Sequence, residues 1–104
     1  MIRYIKVTNN SCKICVCMEE DFEDILCEIL YAPTSTFLRD SRLCLIESDI
    51  AIDKHYPKNL LIEKIFKVKL FGDVIITKLD SQSNFCSLLE KEAIRLKNEI
   101  KAKL

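Results

Sequence analysis

Glycine and histidine are nearly absent from this sequence, which holds one glycine, one histidine, two prolines and no tryptophan in 104 residues. A phosphate-binding loop of the G-x-x-x-x-G-K type needs two glycines, so nucleotide binding through such a loop is excluded. A cysteine hydrolase would have to pair a thiol with His55, which lies in a polar segment typical of an exposed loop. We therefore expect no enzymatic activity and no cofactor.

Long hydrophobic runs and an excess of either charge are also missing. No apolar run approaches the ~20 residues of a membrane-spanning helix, and the alternating start, Met1–Val7, differs from the apolar core of a signal peptide. We therefore expect a single cytoplasmic domain over residues 1–104. Sixteen basic residues match sixteen acidic ones, and this balance argues against direct nucleic acid binding, which needs a basic face.

Cysteine, in contrast, is abundant. The six residues are Cys12, Cys15, Cys17, Cys27, Cys44 and Cys86. In a reducing compartment most thiols serve as small buried hydrophobes, and we expect that role here. The alternative is a metal-binding or thiol-redox domain that uses Cys12, Cys15 and Cys17. A zinc site needs four ligands, and a redox C-x-x-C pair usually opens a helix, whereas this pair leads into a β-type segment.

Alternating and β-branched residues at the N-terminus predict a β-hairpin. Its strands are Ile2–Val7 and Lys13–Met18, and its turn is Thr8–Ser11, where two asparagines tolerate left-handed geometry. Because side chains alternate along a strand, Cys15 and Cys17 share one face of the second strand.

The next segment, Glu19–Leu30, predicts a helix that Pro33 terminates. Its apolar stripe recurs at helical spacing and consists of Phe22, Ile25, Leu26, Ile29 and Leu30. Its opening turns carry five acidic residues, Glu19, Glu20, Asp21, Glu23 and Asp24. Such carboxylates suit the positive end of the helix dipole, and they are also a candidate site for a cation or a basic partner.

The middle of the chain is less regular. We expect a loop at Ala32–Thr36, then a hairpin with strands Arg42–Glu47 and Ile50–Ile52. The polar segment Asp53–Asn59 predicts a surface loop, and Leu60–Leu70 fits either a helix or a strand. Loops often carry recognition residues, so the candidate contacts here are Asp53, Lys54, His55 and Tyr56.

The C-terminal part begins with the single glycine. Gly72 and Asp73 predict a turn, followed by a buried strand at Val74–Thr77, a turn at Asp80–Asn84 and a helix at Ser87–Lys103. The apolar seam of that helix is Leu89, Ala93, Leu96 and Ile100. So narrow a seam can dock on the sheet or pair with a second copy in a homodimer. Its exposed basic side chains Arg95, Lys97 and Lys101 are further candidate contacts.

Together these elements indicate an α+β fold, a small, mostly antiparallel sheet with two helices packed on one face. This layout resembles a small domain encoded by phages and mobile elements, domain of unknown function 3846. The motifs that carry the likeness are Gly72–Ile76 followed by Leu79 and Asp80, Asn84–Leu88, and Leu43–Ile46 followed by Tyr56–Asn59. At the level of motifs the likeness covers Phe71–Leu88.

The resemblance implies an accessory protein of a phage or mobile element. Many such small proteins bind and inhibit host defence systems, CRISPR among them. The function we expect is therefore non-enzymatic: the protein binds a host protein or ribonucleoprotein in the host cytoplasm and blocks part of its surface. Since the thiols and aliphatic side chains are expected to fill the core, recognition is left to the surface residues named above.

Overall fold

The sheet has six strands, and every pair of neighbouring strands is antiparallel. The computed structural model describes residues 1–104. The strands, in chain order, are β1 Ile2–Val7, β2 Cys12–Cys17, β3 Pro33–Leu38, β4 Leu43–Ser48, β5 Val74–Leu79 and β6 Phe85–Cys86. Their order across the sheet is β2-β1-β5-β4-β3, and the short β6 pairs with the end of β5. Strands β2 and β3 are therefore the two edges.

Helices cover the sheet on both faces. They are α1 Phe22–Ile29, α2 Leu60–Phe66 and α3 Glu90–Lys101, and a 3₁₀ turn at Glu19–Asp21 leads into α1. Helices α2 and α3 share one apolar core with the sheet (the α2/α3 core), and α1 forms a separate core on the opposite face (the α1 core). No helix combines the length and the apolar character that crossing a membrane requires.

The predicted α+β class with an antiparallel sheet is confirmed, but the two predicted helices, Glu19–Leu30 and Ser87–Lys103, do not share a face. The pair on one face is α2 and α3, and the helix predicted at Glu19–Leu30 lies alone on the other face. The central strands explain this arrangement, because every residue of Leu43–Ile46 and Val74–Thr77 is buried. Such continuous burial is typical of strands that are covered on both faces.

The N-terminal hairpin agrees with its prediction. Strands β1 and β2 pair along their full length, and the Thr8 N–H donates to the Ser11 carbonyl at 2.9 Å across the turn. Side-chain alternation places Cys12 in the α2/α3 core and Cys15 and Cys17 against the α1 core. Each face of β2 therefore contributes thiols to a different core.

The second predicted hairpin is wrong in its pairing. The strand predicted at Arg42–Glu47 is confirmed as β4, but it pairs with β3, where we expected the loop Ala32–Thr36. Residues Ile50–Ile52 lie in turns and form no strand. Pro33 suits the first position of an edge strand, because it can face outward where no N–H is needed for the ladder. The β-branched threonines that follow favour extended backbone.

The ambiguous segment Leu60–Leu70 begins as helix α2. The Oδ1 atom of buried Asn59 accepts a hydrogen bond from the Ile62 N–H at 3.1 Å and so caps the helix. The helix ends at Lys67, whose φ of 59° is left-handed. Its two caps, and not the spacing of its apolar residues, therefore set its limits.

Helix α3 begins at Glu90, later than the predicted Ser87. The residues before it are held in extended conformation, because Cys86 pairs with β5 and the Arg3 N–H donates to Ser87 Oγ at 2.9 Å. The Leu88 N–H then donates to the Arg3 carbonyl at 3.0 Å. These contacts with the sheet delay the first helical turn.

Candidate partner-binding site

The acidic residues are unevenly distributed over the two faces of the sheet. Residues Glu19–Ile29 hold six of the sixteen acidic residues and none of the sixteen basic ones, and this segment covers one face. The other face carries α2 and α3, whose segments Lys58–Lys69 and Glu90–Lys103 hold nine basic and four acidic residues. The net charge of zero therefore conceals an acidic helical segment on one face of the sheet and basic helical segments on the other.

The face with the acidic segment contains a groove of about 340 Å³ between the 3₁₀ turn and the turn that precedes β6. The residues that line it are Ile2, Glu19, Glu20, Phe22, Glu23, Asp80, Asn84 and Phe85. We refer to it as the acidic groove. Three of the five predicted acidic residues line it, whereas Asp21 and Asp24 are exposed on the same segment outside it.

Aromatic rings form the floor of the acidic groove. Phe22 is buried, and its ring centroid lies 5.4 Å from that of Tyr4 and 5.3 Å from that of Phe85. The Phe22 and Phe85 rings meet edge-on at 72°, an arrangement that aromatic pairs favour. Because Phe85 is only half-buried, part of its ring remains available to the groove. The floor is thus apolar and well packed, and the rim is charged.

The glutamates on the rim have no partner inside the protein. The side chains of Glu19, Glu20 and Glu23 form no ion pair, and no side chain caps either the 3₁₀ turn or α1. The helix dipole stabilises carboxylates at this position without engaging their oxygens. These oxygens are therefore free to meet a cationic group.

Asp80 is the one charged residue of the groove that was not among the predicted contacts. Its Oδ1 accepts hydrogen bonds from the N–H groups of Gln82 and Asn84, both at 2.9 Å, which hold the carboxylate in place. The turn reaches the start of α1 because β6 folds back on β5. Only the pairing of β6 with β5 could have indicated that Asp80 lies near α1. That pairing could not be predicted, because a strand of two residues is too short to be recognised in a sequence.

The predicted contact loop Asp53–Tyr56 lies elsewhere. Its side chains are exposed, and only Tyr56 lines a cleft, which has a volume of about 420 Å³ and shares no residue with the acidic groove. The remaining walls of this cleft are Thr8, Asn9, Asn10, Ile29, Leu30, Tyr31, Ser48, Pro57, Phe71, Gly72 and Asp73. The loop and the acidic residues therefore do not form one surface.

Two polar side chains of the larger cleft, Asn9 and Ser48, already have partners within the protein. The Nδ2 atom of Asn9 donates to the Lys58 carbonyl at 3.1 Å, and its Oδ1 accepts from the Leu60 N–H at 2.9 Å. The Ser48 hydroxyl donates to the Tyr31 carbonyl. The cleft is thus a junction in which strand ends, a turn and a helix are tied together. We favour the acidic groove as the candidate site for this reason.

The basic residues predicted as contacts lie on the opposite face from the groove. Arg95 and Lys101 are exposed on α3 and Lys97 is half-buried. Three of the four predicted seam residues dock on the sheet, since Ala93, Leu96 and Ile100 are buried in the α2/α3 core, whereas Leu89 precedes the helix and is 66% exposed. The seam could have docked on the sheet or paired with a second copy, and in this structure it docks on the sheet. A homodimer through the same residues would require α3 to leave the sheet.

The three N-terminal cysteines do not form one site. Cys12 lies on the α2/α3 side of β2, whereas Cys15 and Cys17 lie on the α1 side. No group of three or more His, Cys, Asp or Glu side chains is placed to hold a metal ion, and all six cysteines are free. Burial raises the pKa of the Cys12 and Cys17 thiols, which disfavours the thiolate that redox chemistry and metal binding require. The metal or redox alternative therefore lacks a shared site.

Neither sequence nor structure comparison identifies a relative. The chain matches no family model, no curated protein and no solved structure. The chemistry of the candidate site follows from its own residues: a carboxylate rim around an aromatic floor can bind a long cationic side chain. The aliphatic stem of such a side chain covers the ring, and its charged head reaches the carboxylates.

Proposed function

We propose that this protein is a non-enzymatic binding protein that places its acidic groove against a basic surface of a macromolecular partner and blocks that surface. The observation that carries the proposal is the rim of the groove, where Glu19, Glu20 and Glu23 are exposed and form no ion pair beside an aromatic floor. Charges of one sign on a docking face steer the encounter with a partner of the opposite sign and suppress contact with other partners.

Arginine is the partner residue that suits the groove best. Its planar guanidinium can pair with a carboxylate such as Glu20 or Glu23 through two parallel hydrogen bonds. The same group stacks on aromatic rings, and the half-buried Phe85 ring forms part of the floor. Lysine can supply charge and an aliphatic stem but not the bidentate pairing.

The resemblance to domain of unknown function 3846 supports a setting for this activity. In that setting the protein is an accessory protein of a phage or mobile element, and it acts in the cytoplasm of the host on a protein or ribonucleoprotein such as a CRISPR effector. Proteins that bind nucleic acid expose basic surfaces, which an acidic groove complements. Inhibition then follows from occlusion, because the partner cannot hold nucleic acid and this protein on one surface.

Affinity capture from a lysate of the host tests the proposal. The groove variant is Glu20→Lys with Glu23→Lys. The matched control is Glu90→Lys with Glu99→Lys, which reverses two exposed charges on the opposite face and, like the groove variant, changes the first turn of a helix. Far-UV circular dichroism checks that both variants are folded.

We expect the wild type and the control to retain the same basic partner and the groove variant to lose it. Because the contact is between opposite charges near the surface, retention by the wild type should fall as the salt concentration rises. Equal capture by both variants, or capture that salt does not affect, would contradict the proposal.

A further inference from the structure

Strand β3 is the less protected edge of the sheet, although the Arg42 guanidinium lies 5.5 Å from the Phe37 ring centroid. Its six residues, Pro33–Leu38, include no charged side chain, and Thr34, Ser35 and Phe37 are exposed. The opposite edge, β2, carries Lys13 and packs against α3. Proteins usually protect an edge strand with charge or cover it, because its free N–H and carbonyl groups can pair with another strand.

Strand β4 lies between β3 and β5, and hydrogen bonds at its two ends show which of its residues bond to each of them. The Asp49 N–H donates to the Ala32 carbonyl at 2.7 Å, and the Leu79 N–H donates to the Arg42 carbonyl at 3.1 Å. Both pairs continue the registers of β3 with β4 and of β4 with β5. In an antiparallel pair of strands, hydrogen-bonded and non-hydrogen-bonded residue pairs alternate. One observed bond therefore fixes which residues along the whole strand are bonded to that neighbour.

The two ladders agree on the free groups of β3. Thr34 and Thr36 lie in hydrogen-bonded pairs with β4, so the backbone groups of Pro33, Ser35 and Phe37 point away from the sheet. Proline is consistent with this assignment, because its missing N–H falls on the outer side, where β4 needs no donor. The outer edge therefore offers the N–H groups of Ser35 and Phe37 and three carbonyls.

This edge is complementary to itself when it is rotated about Ser35. With a second β3 antiparallel to the first and the two Ser35 residues opposite each other, Pro33 faces Phe37 and Thr34 faces Thr36. The two Ser35 residues exchange N–H···O=C bonds, and each Phe37 N–H donates to the carbonyl of Pro33 in the second copy. Paired threonines and aromatic contacts across strands are favourable, and no like charges meet.

We propose that two copies of this chain associate through β3 about a two-fold axis at Ser35, so that their sheets join into one. A two-fold dimer is the commonest symmetric assembly, and it requires a patch that complements itself. Because a single strand edge buries less than the ~1,200 Å² at which stable interfaces begin, we expect a weak dimer that depends on protein concentration.

The geometry also sets the salt dependence of this dimer. Pro33 and Ser35 line a small groove of about 210 Å³ together with Leu26 and Cys27 of α1, so the joined strands carry both α1 helices on the same side of the sheet. The two acidic segments repel each other, and salt screens that repulsion. The β3 dimer should therefore strengthen as salt is added, whereas contact between the acidic segment of one copy and the basic segments of another would weaken.

Sedimentation equilibrium over a wide range of protein concentration tests the proposal. The variant Ser35→Lys places two ammonium groups opposite each other, and the control Val16→Lys changes an exposed residue on the other edge strand. We expect the wild type and the control to share one monomer–dimer equilibrium, which salt shifts toward the dimer, and Ser35→Lys to stay monomeric.

A wild type that is monomeric throughout, as it would be if β3 receives a strand of another protein, overturns the proposal. A dimer that Ser35→Lys leaves intact, or that salt dissociates, overturns it too.

Oxidative cross-linking tests the register and does not require the lysine variant to fold. In a Cys27→Ser background, which removes the exposed thiol, Ser35→Cys places two thiols across a hydrogen-bonded pair. The Cα atoms of such a pair are about 5.5 Å apart, within the range of a disulfide. The control Thr34→Cys is also exposed but faces Thr36 and not itself. We expect a covalent dimer from Ser35→Cys alone, and cross-links from both variants or from neither contradict the register.

Discussion

Asn59 shows how one buried polar side chain holds three segments together. It is fully buried, and its Nδ2 atom donates to the carbonyls of Val7 and Gly72 at 3.1 and 3.0 Å. Its Oδ1 accepts from the Ile62 N–H. Only an amide supplies two donors and an acceptor in this geometry. The prediction of a surface loop is therefore wrong for Asn59, since its burial depends on contacts with residues far away in the sequence.

Replacement of Asn59 by alanine should destabilise the protein strongly. The substitution removes a bond to the Val7 carbonyl and leaves the Gly72 carbonyl and the Ile62 N–H without partners, so we expect the free energy of unfolding to fall by about 2–4 kcal/mol. Asn98→Ala, at an exposed position of α3, is the control and should change it by no more than about 0.5 kcal/mol. Urea denaturation measures both, and similar values for the two variants would contradict this role.

Gly72 shows that a residue type can predict a local backbone conformation but not a contact with a distant residue. Where a turn was expected, the chain bends at Gly72 with φ of 75°, a region that only glycine enters without a steric penalty. The approach of Tyr56 is a tertiary feature: a Cβ atom on Gly72 would lie 3.0 Å from the Tyr56 ring. Nothing in the local sequence reports that contact.

Among the elements, those with a strong local pattern were the predictable ones. The hairpin of β1 and β2 and the strand β5 follow from β-branched residues, and α1 follows from its apolar stripe. Strand β3 was missed because Thr34, Ser35 and Thr36 are small and polar and show no alternation. Its identity comes from pairing with β4, as in the contact of Thr36 with Leu45, and pairing between distant segments has no local signature.

The docking of α3 leads to a prediction about stability and assembly. Leu96 is 4% exposed and packs in the α2/α3 core, whereas Ile94 on the same helix is 47% exposed. Leu96→Ala should lower the free energy of unfolding by about 2–4 kcal/mol, since it leaves a cavity, and Ile94→Ala should lower it by less than about 1 kcal/mol. Urea denaturation gives these values, and sedimentation should show the same assembly for both variants. A change of assembly without a loss of stability would mean that the seam pairs two copies.

At the scale of the whole molecule, composition alone could not reveal the candidate site. The sequence indicated Glu19, Glu20 and Glu23 correctly as exposed acidic residues. It could not indicate that Asp80 and Phe85 complete a groove with them, because β5 and β6 bring these residues together from a distant part of the chain. The same limit applies to the charge balance, since a net charge does not show which residues share a face.

Buried ionisable groups determine how the whole fold responds to alkaline pH. Burial raises the pKa of Tyr4 from its ordinary 10.0 to about 12, and the neighbouring thiols of Cys15 and Cys17 add to the rise. Burial likewise raises the pKa of four thiols above the ordinary 9.0, those of Cys12, Cys17, Cys44 and Cys86. For each group the folded protein holds its proton more tightly than the unfolded chain does.

The stability that these groups confer is therefore fully present at neutral pH and is lost as pH rises, because unfolding then releases protons. The contribution of Tyr4 should disappear between pH 10 and about pH 12. Tyr4→Phe removes this ionisation, so its free energy of unfolding should fall less than that of the wild type over the same interval, by on the order of 2 kcal/mol. Urea denaturation in a series of alkaline buffers measures the difference. Since both proteins share every other titrating group, parallel curves would show that Tyr4 ionises as readily in the folded protein as in the unfolded chain.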